Sequence, residues 1–144
     1  MTSRVVIVSP RPILREALAR WVEEAGDLEV VDEVARGEEA LVSAARSRPD
    51  LVILEADMPG MSGFAVAGAL TRDLLELGVI IVTETGGSQV RERAAEVGAR
   101  GFVSKTWGGR AFREVVQQVQ EGRSPMVLEV HGKAAGPGRA DQVG

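Results

Sequence analysis

The chain has 144 residues, 44% of them apolar and 26% charged, with a net charge of −4. These are the proportions of an ordinary globular protein with one sizeable core, and the acidic balance argues against non-specific nucleic-acid binding as the main task. There is no cysteine, which excludes disulfides, thiolate metal sites and a cysteine nucleophile. Aromatics make up only 3%, so Val, Leu, Ile and Ala must build the core. No apolar run approaches the roughly 18 residues of a membrane span, and Met1–Arg4 leads directly into a short strand without a signal-peptide core. A cytoplasmic protein without membrane partners is the expectation.

Val5–Val8 is a β-branched run without polar alternation, the pattern of a strand buried on both faces. Ser9-Pro10-Arg11-Pro12 follows, with prolines suited to a first helical turn and Ser9 suited to a cap. Ile13, Leu14, Ala17, Leu18, Trp21, Val22 and Ala25 then recur at helical spacing until Gly26. Leu28–Val34 reads as a second strand, and Gly37–Ser47 as a helix with Ala40, Leu41, Ala44 and Ala45 inward. Leu51–Leu54, bounded by Pro49-Asp50 and Pro59-Gly60, is the central strand; Glu55 closes it and Asp57 follows. Phe64, Ala67, Leu70, Leu74 and Leu77 mark a third helix, and Val79–Val82 a fourth strand ending at Thr83. A polar helix over Gln89–Val97, a strand at Gly101–Ser104, Lys105, and a last helix through Phe112, Val115, Val116 and Val119 complete the pattern.

Alternating strands and helices predict an α/β fold with a parallel sheet covered on both faces. Ligands of such sheets gather beyond the carboxyl ends of the strands. That rim collects Ser9, Pro10, Glu55, Asp57, Thr83 and Lys105. Residues 1–122 form the expected domain. Residues 123–144, rich in Gly and Pro, read as a flexible tail or linker.

Val5–Val8 with Pro12, Asp50–Gly63 with its Met-Pro-Gly-Met-x-Gly signature, Thr83, and Ala99-Arg-Gly-Phe-Val-Ser-Lys105 together resemble the CheY-like receiver domain of two-component response regulators. The similarity is closest to the LuxR/NarL-type group and covers nearly all of the chain except its tail. It implies a flavodoxin-like (βα)5 three-layer sandwich with strand order 2-1-3-4-5. By the same resemblance, the phosphoacceptor position falls on Glu55. The metal-binding acidic pair falls on Ser9 and Pro10, and the switch residues on Thr83, Phe102 and Lys105. The Asp57 side chain is either a further rim carboxylate or turned to water.

The departures from the family pattern decide the functional expectation. Magnesium takes oxygen ligands, usually including carboxylates, whereas Ser9 offers one neutral hydroxyl and Pro10 no side-chain ligand. Phosphoryl transfer thereby loses its main electrostatic support. The expectation is an atypical receiver that is not phosphorylated and holds no Mg2+, with Glu55 paired to Lys105 as a fixed charge in place of phospho-aspartate. A bare surface ion pair is the plainer reading of those two residues. A working phosphoacceptor in a phosphorelay and a small-molecule sensor using the vacated pocket are the alternatives.

Catalysis has little to draw on. The single histidine, His131, lies in the tail, and neither a nucleophile elbow nor a nucleotide-binding glycine fingerprint is present. Arg91, Arg93, Arg110 and Arg113 mix with Glu92, Glu96 and Glu114 on the last two helices. That face is either solvated or a surface for self-association or a protein partner, as the resemblance suggests. DNA contact would need a separate output domain. Trp107 reads as either a cover for the core edge or an exposed contact.

Overall fold

The computed structural model describes residues 2–84 and 88–122. Its apolar runs pair into a five-stranded parallel sheet: β1 (Ser3–Val8), β2 (Leu28–Val34), β3 (Leu51–Glu55), β4 (Gly78–Thr83) and β5 (Gly101–Ser104). The order is β2-β1-β3-β4-β5, as expected. Between them run α1 (Pro12–Glu24), α2 (Gly37–Ser47), α3 (Gly63–Asp73) and α4 (Ser88–Glu96). A 3-10 turn at Lys105–Trp107 leads into α5 (Gly108–Gln120). This is the flavodoxin-like receiver architecture.

The missing polar alternation in β1, β3 and β4 is explained by two cores, one on each face. Val6, Val8, Val52, Leu54, Val79 and Ile81 point into a core closed by α2, α3 and α4. Their neighbours Val5, Ile7, Ile53, Ile80 and Val82 point the other way, against α1 and α5. Both sets must be apolar, so the strands read as continuous runs. Phe112 and Leu18 are among the largest fully buried side chains of the second core. Trp107 packs against both cores and meets Phe102 edge-on, with ring centroids 5.9 Å apart. It covers the core edge.

Several local expectations are corrected. Helix α3 stops at Asp73, because Leu74 leaves helical geometry at φ −127°, ψ 83°. Leu77 still reaches the core from the following turn, while Leu74 and Leu75 face outward. Ala45 and Ile13 are exposed; each lies on a helix whose buried stripe is narrower than the apolar spacing suggests. Ser9 does not cap α1. The cap position is Arg11, in extended geometry at φ −100°, ψ 113°, with Pro12 opening the helix.

The Met-Pro-Gly-Met-Ser-Gly segment sets the approach of α3 to the end of β3. Gly60 has φ +78°, a conformation glycine adopts without steric cost. At Gly63 a Cβ would lie 2.0 Å from the backbone carbonyl oxygen of Glu55. Only hydrogen fits there. Ser62 caps the helix, its Oγ accepting from the Ala65 N–H at 3.2 Å.

Candidate functional site

The parallel register places the carboxyl ends of β1, β3, β4 and β5 side by side, so Ser9, Glu55, Thr83 and Lys105 share one rim. Glu55 is 2% exposed, a depth at which a carboxylate must be answered by hydrogen bonds or an opposite charge. Three groups meet it. The Ser9 hydroxyl donates to Oε1 at 2.6 Å, Arg11 Nε approaches the same oxygen at 3.3 Å, and Arg11 Nη2 donates to Oε2. Ser9 Oγ also accepts the Arg11 backbone N–H at 3.1 Å, and Arg15 Nη1 donates to the Ser9 carbonyl at 2.7 Å. The first loop is thus wrapped around the Glu55 carboxylate.

The remaining guanidinium nitrogen turns outward. Arg11 Nη1 donates to Glu84 Oε2 at 2.7 Å, and Lys105 Nζ lies 2.7 Å from that same oxygen. A chain of alternating charge results: Glu55, Arg11, Glu84, Lys105. It ties β1, β3, β4 and β5 together across their carboxyl ends. Hydrogen bonds to Glu55 and then Glu84 hold the Arg11 guanidinium above its ordinary pKa. Hydrogen bonds from Arg11 and then Lys105 hold the Glu84 carboxyl below its own.

The pairing expected between Glu55 and Lys105 is therefore replaced: Glu55 goes to Arg11, and Lys105 to Glu84. The physical reason is the strand order: β1 neighbours β3 and β4 neighbours β5, whereas β4 lies between Glu55 and Lys105. Arg11 leaves β1 beside Glu55, and Glu84 leaves β4 beside Lys105, so each charge meets a nearer opposite. Pro10 contributes no side-chain polar atom, and the Asp57 side chain is exposed. Thr83 and Phe102 are buried at 6% each. Ser104 Oγ donates to the Glu84 carbonyl at 3.2 Å, and lies 2.8 Å from the Thr106 hydroxyl.

Arg11 and Glu84 were not singled out in the sequence, although a signal was present. A carboxylate at the end of a strand buried on both faces needs a cation, and Arg11 is the first cation after the adjoining strand. Glu84 directly follows the switch position and is the corresponding acid for Lys105. Two of the charges on α4 and α5 are engaged within the domain. Arg93 stacks over Phe64 at 4.6 Å from the ring centroid, and Arg113 lies 3.9 Å from Glu24. His131 and the tail from Arg123 onward lie outside the described residues. Among the described residues, no helix is long and apolar enough to cross a membrane.

The response regulator receiver domain matches residues 5–117, and the chain belongs to that family. It is 27% identical over 130 residues to the response regulator protein VraR of Staphylococcus aureus, covering 90% of this chain and 62% of that protein. The chain therefore spans less than two thirds of this relative. The receiver domain of the NarL response regulator from Mycobacterium tuberculosis superposes with a TM-score of 0.79 at 30% identity, covering 85% of this chain and 98% of that one. A LuxR-family response regulator from Aurantimonas sp. gives 0.82 at 27% identity, covering 90% and 95%. The resemblance to the LuxR/NarL group thus holds in sequence and in fold. The chain is a receiver domain of two-component signalling, a class that meets protein partners such as kinases and can dimerise.

Proposed function

We propose that this receiver works as a protein-interaction module in transcriptional regulation without being phosphorylated. The observation that carries the reading is the buried Glu55 carboxylate held by Ser9 and by two nitrogens of Arg11. The donor set fits a guanidinium better than magnesium: the site offers one carboxylate already engaged, one hydroxyl donating its proton to it, and a proline. A fixed cation beside the acceptor position repels a divalent ion and answers the charge such an ion would neutralise. Glu55 then serves as an anchor for the first loop rather than as a nucleophile. Its fixed charge acts inward on Arg11, and the carboxylate facing Lys105 is that of Glu84.

Under this reading Thr83, Phe102 and Lys105 hold one arrangement set by ion pairs. The face of α4 and α5 presents it to a second copy or to a protein partner in the cytoplasm. DNA is reached only through a separate output domain. The test is incubation with acetyl phosphate and magnesium followed by intact mass. No phosphoryl adduct is expected on the natural protein, and a stoichiometric adduct on Glu55 or Asp57 overturns the reading.

A further inference from the structure

The amino end of the sheet, opposite the rim that carries Glu55, holds a cavity of about 250 Å³. It lies where β3 and β4 begin side by side, Leu51 opposite Gly78, next to the end of α5. Gly78 is what lets these parts come together, since a Cβ there would stand 2.8 Å from both Leu51 Cδ2 and Val119 Cγ1. Leu51 and Val119, both buried, give the cavity an apolar floor. Its walls carry both signs of charge: the carboxylates of Asp50 and Glu76 and the guanidinium of Arg100, with the Ser3 hydroxyl beside them. Much of their bonding capacity is unspent. Asp50 Oδ2 accepts the Arg4 N–H, which leaves Oδ1. Arg100 Nη2 donates to the Leu75 carbonyl, which leaves Nε and Nη1. Ser3 Oγ accepts from Gln120 Nε2 at 3.1 Å and keeps its own proton to donate. Among the described residues, Glu76 has no hydrogen bond or ion pair. Opposite charges thus line one space without pairing across it.

We propose that this cavity binds a free α-amino acid with a short apolar side chain. The Asp50 and Glu76 carboxylates take its ammonium, Arg100 and the Ser3 hydroxyl take its carboxylate, and its side chain rests on Leu51 and Val119. The lining decides the class. A ligand of one charge sign leaves either the carboxylates or the guanidinium unanswered, whereas an amino acid answers both. Ligand pockets usually occupy about 300–1,000 Å³, so a cavity of about 250 Å³ admits only a small molecule. Asp50 and Arg100 are already tied to main chain, so two of the walls are in place before a ligand arrives. The site lies at the far end of the sheet from Glu55, and it stands whether or not the carboxyl rim accepts a phosphoryl group.

Titration of the full chain with L-leucine, followed by amide NMR shifts, tests this. Isoamylamine, which keeps only the amine, and isocaproate, which keeps only the acid, are the comparison ligands. Saturable shifts at Gly78, Arg100 and Val119 are expected, with a Kd in the roughly millimolar range for so small a ligand. L-leucine should bind about three- to fivefold tighter than either comparison ligand, the scale of one exposed ion pair. Glu76→Gln should weaken L-leucine by about the same factor and leave isocaproate unchanged. Arg100→Gln should weaken L-leucine and isocaproate and leave isoamylamine unchanged. Should Arg100→Gln fail to fold, Glu76→Gln still decides, because Glu76 is bonded to nothing among the described residues. The proposal fails if L-leucine gives no saturable shifts at these positions. It fails equally if either comparison ligand binds as tightly as L-leucine, or if Glu76→Gln leaves the affinity for L-leucine unaltered.

Discussion

Both ends of the sheet carry charged side chains, and they use them differently. At the amino end, Asp50 Oδ2 accepts the Arg4 backbone N–H at 2.8 Å, Arg4 Nη2 donates to the Ser47 carbonyl at 2.8 Å, and Arg100 Nη2 to the Leu75 carbonyl at 3.2 Å. Every one of those bonds has a main-chain partner. At the carboxyl end, Arg11, Glu55, Glu84 and Lys105 bond side chain to side chain. A main-chain partner cannot leave without moving the fold, whereas a side-chain partner can rotate out and be replaced. One end fastens the domain. The other can change partners.

The comparison can be broken most forcefully at Gly63, where an added methyl meets the Glu55 carbonyl itself. Gly63→Ala should cost about 3 kcal/mol, the upper range for overpacking, because backbone must give way. Urea unfolding followed by Trp emission reads it, and an unchanged midpoint would show that α3 can retreat freely. Next comes Arg11→Met, which leaves the Glu55 charge buried without its main partner. About 2 kcal/mol is expected, the buried-pair penalty discounted for a half-exposed guanidinium. Adding Glu55→Gln should restore at least half of the loss, since the orphaned charge is gone. The equivalent truncation at the amino end, Asp50→Ala, removes one hydrogen bond and should cost only about 1 kcal/mol. A double variant no better than Arg11→Met alone would place the loss in packing rather than charge.

The smallest effect concerns acidity. Because Arg11 and Lys105 lower the Glu84 carboxyl, its contribution to stability is complete above the ordinary glutamate value. It is lost only as the pH falls through the lowered one, so stability near neutrality should not respond to it. Carbon-detected NMR titration should find Glu84 titrating below the usual glutamate range. Lys105→Met should move it upward, with Arg11→Met moving it further, because the Arg11 hydrogen bond is the stronger of the two. Titration unmoved by either change would mean that the convergence on Oε2 is not maintained in solution.

The sheet was legible because burial on both faces leaves an unmistakable trace: Val5–Val8, Leu51–Leu54 and Val79–Val82 have no polar alternation. Helix ends were less legible. Leu74 and Leu77 keep helical spacing beyond the point where α3 stops, and spacing alone cannot report a change in backbone geometry. At the rim, sequence order gave the right positions for Ser9, Glu55, Thr83 and Lys105 but the wrong partner for two of them. Pairing depends on which long side chain reaches which carboxylate, and Arg11 and Glu84 reach first. Trp107 is equally open in sequence, since a loop tryptophan next to a helix fits either surface or cover; its packing against both cores is a tertiary property.

Arg11 sits between two prolines, and that has a consequence for the chain before it folds. Pro12 disfavours helical geometry in the residue before it and steers Arg11 toward the extended backbone it has in the structure. Pro10 fixes its own φ one residue earlier. The unfolded ensemble therefore samples fewer conformations around Arg11, and ordering the loop forfeits less entropy than it would in an unrestricted segment. A guanidinium presented by a stiff tether is correctly aimed in a larger fraction of encounters with Glu55. The local stiffness of Pro-Arg-Pro thus favours the inner ion pair, while the Lys105–Glu84 pair has no such proline on either side of its residues.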